Sequence, residues 1–398
     1  MKRIAVRACP ICGNTRVEVL HTQRFELPQG HPLSEGYDVV CCRVCGFVYA
    51  DTKVTQAAYD SYYSELSKYE DPKTSVGTGE NFFDQKRLED TARQIVEFLR
   101  NPQARILDVG CANGGLLKAL RGAGHTSLCG VDPSPACVEN TRRLGIQAYP
   151  GAFSQPFQHG KVDCTILSHT LEHVQDLNEA TQWIRSVLAE NGTVYVEVPD
   201  ATRYVDYLYA PFQDFNTEHI NHFSSLSLRR VMNRAGYQMM TVGEKLLVTA
   251  KDTSYPAVFG FWGRGEPGSA MPDLPKDEGL RASLVRYVRA SRTLLDGIDA
   301  QLQRILPRST PVVVWGTGQL ALKLLVETSL ARAKIAAFVD SNPINQGKVL
   351  RGVSVISPEA VRRFAAPIII ATILHQREIA EQIRQMGLPN EILSLEAS

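Results

Sequence analysis

Apolar and polar positions alternate along this chain in four different ways, and the changes of pattern divide it. Residues 1–55 carry short strand-like pieces, Tyr37 to Val40 and Phe47 to Tyr49, set among turn residues and too small for a core of their own. From 56 to 252, apolar runs at Arg105-Ile-Leu-Asp-Val109, Leu128-Cys-Gly-Val131, Val162 to Leu167 and Thr193 to Val198 alternate with helical stretches. That alternation predicts an α/β domain with a parallel sheet covered by helices. A stretch rich in proline and glycine, Tyr255 to Gly279, falls in the third segment, 253–308, where Leu284, Val288, Leu295, Ile298, Leu302 and Ile305 share one helical face. The stripe predicts a long packed connector helix, because Ser291 interrupts the coiled-coil alternative. The strand Val312 to Trp315 opens the last segment, 309–398, which repeats the strand-helix alternation through Pro367 to Ile370 and on to Ile392 to Leu395.

Composition narrows the function classes. The 398 residues are 44% hydrophobic and 21% charged, an ordinary globular balance. Lys and Arg number 43 against 42 Asp and Glu, a formal net charge of +1, so no general attraction to nucleic acid or anionic membrane is expected and a small polar substrate is favoured. No run reaches the apolar length of a membrane span, and Met1-Lys2-Arg3-Ile4 leads toward Cys9 without a signal peptide's apolar stretch. A cytoplasmic protein is therefore expected.

Four of the nine cysteines form Cys9-Pro-Ile-Cys12-Gly13 and Cys42-Arg-Val-Cys45-Gly46. In a C-x-x-C-G knuckle both thiolates reach one tetrahedral ion while the glycine accommodates the turn, so Cys9, Cys12, Cys42 and Cys45 are expected to hold a structural zinc with no open coordination position. Cys41 would also form a pair with Cys45, but the glycine-followed symmetry selects Cys42, and Cys41 is expected to be a small buried hydrophobe. Four unrelated buried cysteines is the competing reading.

After the strand at 105–109 comes Asp108-Val-Gly110-Cys-Ala-Asn-Gly114-Gly, then a helix through Leu117 and Leu120. A glycine turn at a helix start lets a ligand approach backbone N–H groups. Asp108 ends the strand ahead of the glycines, unlike the dinucleotide pattern, and suits a ligand with an ammonium group. Asp132 ends the next strand, where a carboxylate accepts both hydroxyls of a ribose. Asp108 to Gly114 resembles the first motif of class I S-adenosylmethionine methyltransferases, with Asp132 matching their ribose-binding acid and Ala112 departing from the usual middle glycine. The resemblance also matches Ala152 and Phe153 to the segment flanking the adenine. A nicotinamide site is the lesser alternative.

His169 and His173 lie beyond the fourth strand, where an open parallel sheet places its ligand crevice. Further on, Glu218 and His219 are adjacent, the arrangement a histidine base with an orienting carboxylate requires. The bland readings are a loop histidine bonding backbone and a pocket wall. Nearly the whole chain resembles the bacterial nucleotide-sugar C-methyltransferases, which combine a zinc-binding N-terminal domain, a class I methyltransferase core and a C-terminal Rossmann-like domain. What the resemblance implies is S-adenosylmethionine-dependent methylation of a nucleotide-linked 4-keto sugar through an enolate. His219 would be the base, Glu218 its partner, His173 a sugar-facing group, and Tyr69 part of a segment folding over donor and acceptor, along with Tyr62 and Tyr63. Asn216 stands where the family has tyrosine, and His169 where relatives have asparagine, both on the sugar side. In the last segment Gly316-Thr-Gly318-Gln-Leu-Ala321 with Asp340 forms a dinucleotide-like fingerprint. The resemblance implies instead a fold that binds no donor of its own. Rival readings are a sugar or small-molecule O-methyltransferase, a zinc-ribbon RNA methyltransferase, and a degenerate binding module.

Overall fold

The structure is a computed structural model and describes residues 2–65, 82–153, 155–250, 253–265, 274–307 and 309–395. Its contacts group into two compact units. The first comprises Met1–Val19, Val40–Tyr207 and Glu218–Leu284, and the second Leu20–Val39, Leu208–Thr217 and Val285–Ser398.

The chain begins with β1 (Lys2–Ile4), β2 (Arg16–Arg24), β3 (Gly36–Cys42) and β4 (Val48–Asp51), followed by α1 (Gln56–Glu65) and α2 (Phe82–Leu99). Then β5 (Ile106–Val109), α3 (Gly115–Gly122), β6 (Leu128–Asp132), α4 (Pro135–Arg143), β7 (Gln147–Pro150), β8 (Val162–Ser168), α5 (Leu177–Val187) and β9 (Leu188–Pro199) alternate. A short β10 (Asn221–His222), α6 (Ser225–Arg234) and the long hairpin β11 (Tyr237–Ala250) and β12 (Thr253–Arg264) complete this part. The seven-stranded sheet has the order β11-β12-β9-β8-β5-β6-β7. Strands β5 to β9 run parallel, and β12 is antiparallel to both β9 and β11. This is the class I methyltransferase sheet that the resemblance implies.

Both faces of the sheet are covered, so β5 is buried at all four positions, with Asp108 the one polar residue among Ile106, Leu107 and Val109. Ile106, Leu117, Leu120, Ile166, Tyr195 and Phe261 share one core cluster, and Phe98 stacks on Phe261 with centroids 3.8 Å apart. Truncating one of these leucines to alanine costs about 2–5 kcal/mol. Strand β12 occupies 253–264 and so takes in the start of the stretch, Tyr255 to Gly279, whose prolines and glycines suggest a connector. Its glycines serve close packing rather than chain reversal: a Cβ on Gly260 would sit 2.4 Å from the Trp262 ring.

The helix α7 (Glu278–Ile305) buries Leu284, Tyr287, Ser291, Leu295, Ile298 and Leu302 in one stripe. Beyond it come β13 (Val312–Trp315), α8 (Gln319–Glu327), β14 (Ile335–Val339), β15 (Val349–Leu350), β16 (Val353–Ile356), β17 (Ile368–Ile370), α9 (Gln376–Gln385) and β18 (Ile392–Ser394). They form a six-stranded sheet of order β15-β16-β14-β13-β17-β18, parallel except at β15. No helix among the described residues is long and apolar enough to cross a membrane.

Candidate active site

The first unit contains a cavity of about 340 Å³ whose wall includes Asp108, Gly110, Asp132, Ala152, Phe153, His169, Glu172, His173 and His219. Its floor is the turn after β5. Gly110 and Gly114 have φ of 78° and 77°, and Ala112 between them stands at 45°. All three are left-handed, a region that costs an alanine about 1–2 kcal/mol. The turn holds because the Ala112 N–H donates to Asp132 Oδ2 at 2.8 Å and its carbonyl accepts from the Thr141 hydroxyl at 3.0 Å. A Cβ on Gly110 would lie 3.0 Å from Thr170 Oγ1, and one on Gly114 2.8 Å from Thr141 Oγ1, so glycine is required on packing grounds as well.

Asp132 Oδ1 accepts from the Ser134 N–H at 2.9 Å, and Ser134 in turn caps α4. One carboxylate thus fixes the glycine turn and the next helix start while using two of its about four acceptor positions. Burial, and then the charge of Asp132, pushes the Asp108 carboxyl up to about 7. Burial raises Asp132 to about 6 against the pull of its two N–H donors. Two raised carboxyls in one cavity favour a cationic ligand, which restores their ionised forms. This donor set, with the glycine cradle, fits the ammonium and ribose of S-adenosylmethionine.

The opposite wall is built from two segments. His173 ends a 3₁₀ turn (Leu171–His173), and His219 precedes β10. Their rings meet edge to face with centroids 4.9 Å apart. Asp176 caps α5 just after the first, and a reciprocal Ser224–Ser227 capping box starts α6 just after the second, so both segments are held close to the histidines. His173 Nδ1 lies 3.1 Å from the Glu218 carbonyl and 3.0 Å from the Tyr63 hydroxyl. A carbonyl only accepts, so the tautomer protonated on Nδ1 fits both contacts and leaves Nε2 with its lone pair. The Glu218 carboxylate accepts from Tyr62 at 3.3 Å and from Tyr63 at 3.5 Å.

His169 is held differently. Its Nδ1 lies 3.1 Å from Glu172 Oε1 and its Nε2 3.1 Å from Glu197 Oε1. Neutral imidazole would turn a lone pair toward one of those carboxylates. Burial opposes the charged ring, but the two carboxylates raise it to about 9. Glu197 is also paired with Lys245 and accepts from the Tyr195 hydroxyl at 2.6 Å, and despite burial its carboxyl is driven well below the usual range by Lys245 and His169. In register Lys245 opposes Ala257 and Glu197 opposes Phe259, which sets them on one sheet face, and the Lys245 ammonium reaches across, 5.5 Å from the Phe259 ring centroid. Two cations and two carboxylates balance inside the wall.

Ligand atoms of Glu172, His173 and His219 converge within 4.8 Å of one another. A divalent ion there would compete with His169 for Glu172. The four knuckle cysteines form a separate cluster with sulfurs likewise within 4.8 Å, Cys9 to Cys45 at 3.5 Å and Cys12 to Cys42 at 3.4 Å. A tetrahedral zinc thiolate has S···S edges of about 3.8 Å, so the set could bind zinc. Gly13 and Gly46 close the knuckles at φ of 72° and 80°. Cys41 stays outside, buried, with its thiol pushed up to about 12.

Of the residues singled out in the sequence, Asp108, Gly110, Asp132, Ala152, Phe153, His169, His173 and His219 all line the cavity. Gly114 caps α3 behind it, and Phe153 packs edge to face on Trp183 at 5.6 Å. Asn216 falls in the second unit, where its carbonyl accepts from the Tyr37 hydroxyl at 2.7 Å. Tyr69 lies outside the described residues. Glu172 and Lys245 were not singled out. Glu172 carried a signal in its place between two histidines in His169-Thr-Leu-Glu-His173, whereas Lys245 had none.

Residues 83–242 match the family described as a methyltransferase domain. With the sheet order and the glycine turn, this segment has the class I methyltransferase-domain fold. Residues 309–393 match a second family, described as C2185-like, N-terminal. Among curated proteins the chain is similar to the C-methyltransferase NovU of Streptomyces niveus, at 24% identity over 272 residues. That match covers 64% of this chain and 62% of the relative's length. Among solved structures, a Burkholderia thailandensis 1,6-didemethyltoxoflavin-N1-methyltransferase has 14% identity and a TM-score of 0.41, covering 56% of this chain and 97% of that one. The magnesium protoporphyrin IX methyltransferase of Synechocystis has 16% identity and a TM-score of 0.40, covering 52% and 98%. At these scores neither adds to what the sheet order conveys.

Proposed function

We propose that this protein transfers the methyl group of S-adenosylmethionine to carbon in a nucleotide-linked 4-keto sugar, and that its four clustered cysteines hold a structural zinc. The observation that carries the reading is the single cavity in which the acids Asp108 and Asp132 face the histidines His173 and His219. The similarity to a protein named as a C-methyltransferase supports carbon as the acceptor atom. Bound S-adenosylmethionine supplies an electrophilic methyl that an enolate carbon takes, releasing S-adenosylhomocysteine. Asp108 holds its ammonium, Asp132 its ribose hydroxyls, the Gly110 to Gly114 turn its amino-acid end, and Ala152 and Phe153 its adenine.

On the acceptor side His219 removes the proton from the carbon beside the ketone, and the C–H electron pair moves into the enolate. Glu218, fixed by Tyr62 and Tyr63, holds the segment that carries the base. His173 faces the sugar with its Nε2 lone pair, which can accept a hydrogen bond from a sugar hydroxyl. His169, held between Glu172 and Glu197, locks the same wall in a charge-balanced cluster. The test is incubation with methyl-labelled S-adenosylmethionine and a panel of nucleotide-linked 4-keto sugars, with products read by NMR. A new carbon–methyl bond supports the reading. Methyl on oxygen, or methylated RNA and no sugar product, defeats it.

A further inference from the structure

Behind the two cavity histidines lies a buried arginine that the mechanism above leaves unused. Arg7 is 7% exposed, and its guanidinium meets five oxygens. One terminal nitrogen donates to the carbonyls of Ala50 at 3.4 Å and Ile220 at 3.2 Å. The other donates to the carbonyls of Val174 at 3.4 Å and Gln175 at 2.5 Å, and to Asn221 Oδ1 at 3.1 Å. Four of these acceptors belong to two short segments: Val174 and Gln175 directly follow His173, and Ile220 and Asn221 directly follow His219.

The same segments are tied to each other. Asn221 Nδ2 donates to the carbonyls of Leu171 and Val174 at 2.8 and 2.7 Å, and the Ile220 N–H donates to the Glu172 carbonyl at 2.9 Å. The arginine's own backbone is pinned as well. Its N–H donates to Asp51 Oδ1 at 2.8 Å, and its carbonyl accepts from the Tyr49 hydroxyl at 3.0 Å. Cys9 follows two residues on, and the Cys42–Cys45 knuckle leads into the strand that carries Tyr49, Ala50 and Asp51. A planar fork on a fixed base therefore sets the separation of the two histidine-bearing segments.

We infer that Arg7 is a positioning residue through which the cysteine-bearing part of the first unit fixes the spacing of His173 and His219. The catalytic consequence rests on the reading under Proposed function; the effect on the imidazoles does not. Lysine cannot substitute, because a compact ammonium with three donors does not span acceptors on two segments in one plane. A misplacement of about 1 Å at a reacting group costs on the order of 100-fold in rate.

The test compares the full-length zinc-loaded protein with Arg7→Lys and with Asn221→Ser, which loosens the same junction from its other side. Histidine NMR follows the titration of the His173 and His219 rings, and calorimetry follows S-adenosylhomocysteine affinity. In both variants affinity for S-adenosylhomocysteine should stay within about twofold of the parent, because the donor side is untouched, while the imidazole signals and titration midpoints move. With a keto-sugar substrate, kcat should fall on the order of 100-fold in Arg7→Lys, with a displaced pH profile. Unchanged histidine titrations in Arg7→Lys overturn the proposal, as does loss of donor affinity in step with kcat in both variants, the mark of general destabilisation. Imidazoles displaced in the variants, together with a parent protein that turns over no keto sugar, would uphold the positioning role and reject the functional reading instead.

Discussion

The molecule contains two strand, glycine-turn, helix, acid units of the same local design, and they spend their acids differently. In the first unit Asp132 accepts two backbone N–H groups, one from the glycine turn and one from the next helix start. In the second, Asp340 accepts from the Thr317 N–H at 3.2 Å, the Thr317 hydroxyl, the Asn342 N–H at 2.8 Å and Asn345 Nδ2 at 3.1 Å. A carboxylate offers about four acceptor positions; the chain crowds three donors onto Asp340 Oδ2 and one onto Oδ1, whereas Asp132 takes one on each oxygen and keeps more capacity for a ligand. The fingerprint locates a turn in both cases. Whether the turn binds a nucleoside depends on what the protein leaves unspent.

The sharpest way to break this comparison is to remove each acid in turn. Asp132→Asn should weaken S-adenosylhomocysteine binding about 100-fold, the worth of two charge-assisted hydrogen bonds. Asp340→Asn should leave that affinity unchanged in calorimetry and lower stability by about 0.5–1.5 kcal/mol, because half-buried donors lose part of their acceptor. Equal losses of binding from both changes would erase the distinction.

A second, smaller effect concerns pH. The Asp108 carboxyl is raised from 3.8 to about 7 in the folded protein. A folded-state pKa above the unfolded value means the folded chain holds the extra proton, so the stability of the ligand-free protein falls as pH rises from about 4 toward 7. Ligand affinity runs the other way: below pH 7 the neutral carboxyl no longer pairs with an ammonium, and affinity should drop up to about tenfold per unit. Asp108→Asn should flatten both profiles, with the ligand-free variant about 1–3 kcal/mol more stable at pH 8 in denaturant titrations. The smallest effect is Ala112→Gly, which relieves a left-handed alanine at φ 45°. It should stabilise the turn by about 0.5–1 kcal/mol net of glycine's unfolded-state entropy, with donor affinity changed less than threefold.

The donor half of this site is legible in the sequence because its parts are local. Asp108, Gly110 and Gly114 fall within one strand-turn-helix, and Asp132 ends the very next strand, so spacing alone brings them together. Strand β12 hid behind Pro256, Gly260 and Gly263, since Gly260 is there to admit the Trp262 ring and nothing in composition separates that from a loop. The charge balance around His169 was hidden for another reason. Glu197 and Lys245 sit on strands that meet only through the intervening β12, and Glu172 looked like a spacer between two histidines. Arg7 shows the same limit more severely, because its acceptors are mostly backbone carbonyls, which carry no residue signature.

The central claim is that His219 takes a proton from carbon in the cavity shared with the donor acids. The direct measurement is hydrogen–deuterium exchange at the carbon beside the ketone of a nucleotide-linked 4-keto sugar, in deuterated water with S-adenosylhomocysteine bound, comparing the parent protein with His219→Ala. The account predicts exchange catalysed by the parent and lost in the variant at unchanged S-adenosylhomocysteine affinity. Exchange that persists in His219→Ala, or a parent protein that methylates the sugar without ever exchanging that proton, would contradict it.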